Sequence, residues 1–159
     1  MAPEEICRGL GETRTKGMFH ELTSEGMKKV MKEAKLSTNR LASHTSTKKR
    51  NADWSLRVWR LITEHPATGT AATLLFEWLT KNRRPMLADF LSPLGVPNDN
   101  GLTDADFMSE KEPAKLCEAA ENLLKKYDKA EVAAYLLFLD ASNKSEVFAE
   151  LGLDKHFKA

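Results

Sequence analysis

Residues 98–101, Asn-Asp-Asn-Gly, bring together the oxygen-bearing side chains and the glycine of a calcium loop. An EF-hand loop needs oxygen ligands at its first, third, fifth and twelfth positions and a glycine at its sixth. With Gly101 sixth, Asn98 and Asn100 fit the third and fifth, but Val96 falls first and Phe107 twelfth. With Asp99 first, Glu110 falls twelfth and Asp104 replaces the glycine. Neither register holds a hard cation. Asn-Gly is also a tight-turn dipeptide, so the stretch reads as a turn.

Other chemistries fail on spacing. His20, His44, His65 and His156 have no i,i+4 histidine partner and no ligand-spaced cysteine or carboxylate, so no metal site is expected. Cys7 and Cys117 form neither a disulfide framework nor a metal knuckle, and neither has an obvious base. The glycine-rich stretch 9–17 departs from both the P-loop and dinucleotide patterns, since Arg14 stands at the last glycine of GxGxxG. Ser46-Thr47-Lys48-Lys49 matches S-x-x-K without its companion motifs. Asp104 and Asp106 lie in polar loop sequence, where solvation keeps both ionised. No cofactor and no catalytic residue emerges, although residues distant in sequence can still converge into a pocket.

Two constellations remain. Lys48, Lys49 and Arg50 adjoin a helix carrying Arg57 and Arg60, with Trp54 and Trp59 interleaved and Lys28, Lys29, Lys32, Lys35 and Arg40 upstream. Phosphate backbones attract such a surface, and an exposed aromatic can stack on a base. Tryptophans at core spacing and the acidic residues Glu25, Glu33 and Asp53 weigh against it. The second constellation is a methionine stripe, Met18, Met27 and Met31. Methionine adapts to irregular partners, so the stripe suits a protein contact, a swapped subunit or the chain's own core.

The charge distribution frames both. Residues 1–85 hold 16 Lys and Arg against 9 Asp and Glu, a net of +7. Residues 86–159 hold 8 against 14, a net of −6. The N-terminus begins acidic and reaches no secretory apolar region, and no run approaches the length of a membrane span. With two unpaired thiols, the expectation is a cytoplasmic protein with no membrane contact.

The elements that must position these residues follow the helical period almost throughout, with no alternating strand and hairpin pattern. One helix is expected near 24–36, with weaker order before it, and a polar loop over 36–51. Asp53 is the expected N-cap of the next helix, which His65-Pro66 ends. Thr68 or Thr70 starts a second, and Pro85 and Gly95 bracket a short third. Pro113–Tyr127 has the clearest stripe. Asp128 and Glu131 form a capping box for a helix apolar nearly all round, and a short helix from Ser145 to Gly152 closes the chain.

The fold class is therefore all-α: a compact bundle of six to seven mostly short helices with an N-terminal helical arm, the compact helical domain covering 51–159. An N-terminal basic arm, 1–50, carries one helix, is partly flexible and joins through a polar loop. The function read from this is a non-enzymatic protein–protein interaction or homo-oligomerisation module. The alternative is a weak, sequence-independent nucleic-acid binder that uses the basic half.

Overall fold

The computed structural model describes residues 1–158, and these are all-α. Seven α-helices form: α1 (Pro3–Glu21), α2 (Ser24–Glu33), α3 (Thr47–Glu64), α4 (Thr70–Asn82), α5 (Arg84–Leu91), α6 (Pro113–Lys126) and α7 (Lys129–Asn143). Short 3-10 turns follow α3 and α7, at Pro66–Thr68, Ala149–Leu151 and Leu153–Lys158. No helix among the described residues is long and apolar enough to cross a membrane.

The N-terminal fifty residues differ most from expectation. They form α1, α2 and the start of α3 rather than an arm with one helix. Pro3 in the first turn, with Glu4 and Glu5 against the helix dipole, starts α1. The helix breaks at Gly11, whose φ of 88° lies where glycine alone is comfortable. Across the break, the hydroxyl of buried Thr15 donates to the Cys7 carbonyl (2.9 Å). The break turns two short apolar faces inward: Ile6, Cys7 and Leu10 before it, Met18 and Phe19 after it. These residues share one core with Trp78, Leu136 and Phe157.

Thr23 caps α2 by accepting from the Gly26 amide (3.1 Å). The helix ends at Glu33, before Lys35 turns to φ 58°. Helix α3 starts seven residues earlier than the Asp53 cap predicts, because the Ser46 hydroxyl accepts from the Lys49 amide (3.2 Å) and serves as cap. Gly69, in the left-handed region, precedes α4 in place of a threonine cap. Pro85 sits in the first turn of α5, and Gly95 adopts φ 72° just beyond it. Asp128 caps α7 through the Glu131 amide (3.0 Å).

The all-apolar α7 lies at the centre. Val132 to Leu137 are buried, and α1, α4 and α6 pack around it. Phe90 of α5 meets Phe107, Tyr135 and Phe148 edge to face, at centroid distances of 6.2, 5.6 and 5.9 Å. Residues 98–102 form the expected turn, with the Asn98 side chain accepting from the Gly101 amide (2.9 Å). Arg84 clamps it by donating to the carbonyls of Asn100 (3.0 Å) and Asp99 (2.7 Å). A Cβ on Gly101 would come within 2.6 Å of the Arg84 carbonyl oxygen, so the glycine lets this turn seat on α5.

Candidate functional site

The basic residues come together on α2 and the start of α3. The Arg50 guanidinium reaches the Ser24 hydroxyl (3.4 Å), which sets the first turn of α3 beside the first turn of α2. Lys28 and Lys32 follow Ser24 at helical spacing along the exposed side of α2. Lys48 and Lys49 stand exposed in the first turn of α3. Roughly three turns on, Arg60 is exposed on the Lys49 face. None of these five has an ion-pair partner among the described residues.

Two other basic residues of this group are engaged. Arg57 holds Asp53 (3.0 Å), and Lys29 holds the buried Glu77 (2.6 Å), whose hydrogen bond raises the ammonium pKa. Arg50 lies half-buried over the Trp54 ring, 4.4 Å from its centroid. Trp54 itself is 1% exposed, so it offers no stacking platform.

The methionine stripe faces inward in this chain. Met18, Met27 and Met31 are buried in the chain's own core, as their apolar neighbours Phe19 and Val30 demand. Of the three alternatives, packing in the chain's own core is the arrangement seen here.

A second site lies where α1, α4 and α7 meet, and no spacing rule pointed to it. Arg83, just after α4, binds Glu131 of α7 with both ends of its fork, Nε to Oε2 (2.7 Å) and Nη2 to Oε1 (2.9 Å). The same guanidinium binds Glu21 at the end of α1 through Nη1 (2.8 Å) and Nη2 (3.0 Å). It also lies over the Trp78 ring, 4.8 Å from the centroid. The hydrogen bonds to Glu131 raise its pKa most, against burial, and those to Glu21 add to them. Asn82 ties in through a bond to the Glu21 carbonyl (3.1 Å). The nearest sequence signal was the capping box, which named Glu131 but not its partner 48 positions away.

Beside this cluster opens a cleft of about 240 Å³. Leu10, Met18, Trp78 and Ala134 form its apolar part, and Arg14, Glu21 and Glu131 its charged part. Arg14 reaches Asp128 at 3.2 Å.

His44 also departs from expectation, since the fold brings a carboxylate to it. Its Nε2 lies 2.9 Å from Asp53 Oδ2, and the ring is 2% exposed. Nδ1 accepts from the Leu41 amide (3.2 Å), which leaves Nε2 to donate. With both nitrogens engaged, the histidine pins the 36–46 loop to α3 and activates no nucleophile. Cys7 is fully buried and its thiol is pushed up to about 12 by burial, then by Glu4, so it is inert. Burial, with Glu121 and Glu150 nearby, also raises the Cys117 thiol. No cluster of three or more His, Cys, Asp or Glu suited to a metal ion occurs among the described residues.

No protein-family model, curated protein or solved structure matches this chain.

Proposed function

We propose that the chain is a non-enzymatic helical interaction module. Its contact face is the basic ridge of Lys28, Lys32, Lys48, Lys49 and Arg60, and its partner is an acidic protein surface. One observation carries this reading. Lys48 and Lys49 occupy the second and third positions of α3, whose first turn contains no acidic residue. The N-terminus of a helix carries partial positive charge and disfavours cations. Two exposed, unpaired lysines there work against the stability of α3, so folding does not account for them.

The second half of the chain has the complementary charge, −6 over residues 86–159, so a second copy is an acidic partner of the right kind. Only Arg14–Asp128, Arg83–Glu131 and Arg84–Asp99 join the two halves as ion pairs among the described residues. That leaves most of the first half's charge available to a partner.

The same cations favour a second reading, in which phosphates are the partner and binding is independent of sequence. The burial of Trp54 beneath Arg50 takes that ring out of the base-stacking part of the reading, and leaves the half-buried Trp59 as its one aromatic.

Sedimentation at low and high salt, with retention on immobilised poly-glutamate and on duplex DNA, tests both. The expected result is self-association or poly-glutamate binding that salt disrupts and that Lys48→Glu with Lys49→Glu removes. Retention on DNA alone transfers the face to the phosphate reading. A strictly monomeric protein retained by neither polyanion defeats both.

A further inference from the structure

We propose that the cleft between α1, α4 and α7 binds a small organic monocation, a primary ammonium on a compact apolar body. This site lies apart from the basic ridge and takes the opposite charge. At about 240 Å³ the cleft falls below the ~300–1,000 Å³ of pockets for drug-sized ligands, so its occupant is a smaller molecule. The apolar wall is the small exposed edges of Leu10 and Met18, with Trp78 and Ala134 buried behind them, and it suits a short alkyl or aryl body.

The charge of the ligand follows from the ion pairs. Arg14 is matched by Asp128. Glu21 and Glu131 both line the cleft but share the single guanidinium of Arg83, which leaves one negative charge in excess. A carboxylate has about four acceptor sites; Arg83 occupies two on Glu131, and Arg83 with the Trp78 indole N–H (3.4 Å) occupies three on Glu21, so both keep acceptor capacity. An ammonium supplies both the missing charge and further donors.

Gly17 supplies an independent observation. It lies inside the second segment of α1 and lines the cleft. Glycine is a poor helix former, kept in helices where something must approach closely. Here a Cβ would meet nothing within 4 Å. No neighbour in the fold requires the glycine, whereas its missing side chain leaves the cleft wall open.

The test is a titration of the 15N-labelled protein with 2-phenylethylammonium and, separately, with 3-phenylpropanoate, read at the Trp78 indole N–H. The cation should give a saturable shift there, and the anion should bind about tenfold more weakly or worse. Gly17→Leu, a better helix former that fills the cleft, should keep the fold by circular dichroism and lose the cation shift. Equal binding of the two probes, no shift with the cation, or an unchanged affinity in Gly17→Leu would each overturn the proposal. The charge comparison uses the unaltered protein and stands even if the variant folds poorly.

Discussion

Arg83 and Lys49 carry the same charge in opposite circumstances. Arg83 is half-buried, forked onto two carboxylates from two other helices and laid over Trp78. Lys49 is exposed, unpaired among the described residues and set in the first turn of α3. One cation joins the fold and the other stands against it. A charge count gives both the same weight. Their partners separate what stabilises the molecule from what is left for binding.

Removing the joint should have the largest effect. Arg83→Met leaves Glu21 and Glu131 facing each other without their shared counter-charge. Breaking a well-buried pair costs ~3–5 kcal/mol, and the partial exposure of Glu21 reduces this to about 2–3 kcal/mol. Arg83→Lys should fall between, because it keeps the charge and loses the fork. Urea denaturation at neutral pH measures both. A loss below about 0.5 kcal/mol in Arg83→Met would erase the contrast with the basic ridge.

The ridge should respond with the opposite sign. Lys48→Glu with Lys49→Glu turns two unfavourable dipole interactions into favourable ones, and α3 should gain about 1 kcal/mol in total. Poly-glutamate retention should disappear in the same variant. Higher stability with lost binding is the signature of residues kept for contact. If stability falls instead, the lysines serve the fold and the proposed face is wrong.

Arg57 refines the boundary between the two groups. It lies in the basic cluster by sequence but is matched to Asp53 one turn away, at 3.0 Å. Arg57→Ala should cost only about 0.5 kcal/mol, the usual value of an i,i+4 pair, and should leave poly-glutamate retention nearly intact. A loss of retention as large as that from Lys48 and Lys49 would place Arg57 on the contact face.

Local signals explain which parts were legible. The stripe of α6, the Asp128 cap, Pro85 and the Asn98–Gly101 turn each act within a few residues, and each stands where spacing placed it. Helix α1 was hidden because Gly11 splits its apolar face into two pieces too short to show a period. Asp53 looked like the cap of α3 because the true cap, Ser46, opens a turn of cations with no apolar side chain. The methionine stripe was legible as a stripe, but period alone does not say which surface covers it. The Arg83 cluster joins residues 48 and 62 positions apart, and His44 meets Asp53 only after the loop folds back. Such pairings depend on tertiary packing, so no window of sequence contains them.

The smallest expected effect belongs to an exposed cation that is nevertheless matched. Lys126 donates to Asp89 at 2.6 Å, and the Tyr127 hydroxyl donates to the same carboxylate oxygen. Lys126 first and Tyr127 second hold the Asp89 carboxyl below its usual range, against a smaller opposing contribution from burial. The unfolded chain keeps the ordinary value of ~3.9. The contribution is therefore present above about pH 4 and lost as pH falls through the folded-state value. Asp89→Asn should melt slightly below the unaltered protein near neutral pH, and the gap should close in acid. Salt should narrow it too, since the Asp89 side chain is 39% exposed. A gap that persists unchanged in acid would mean that Asp89 acts through hydrogen-bond geometry alone. Lys126 would then stand with Lys49, outside the set of charges that hold the fold.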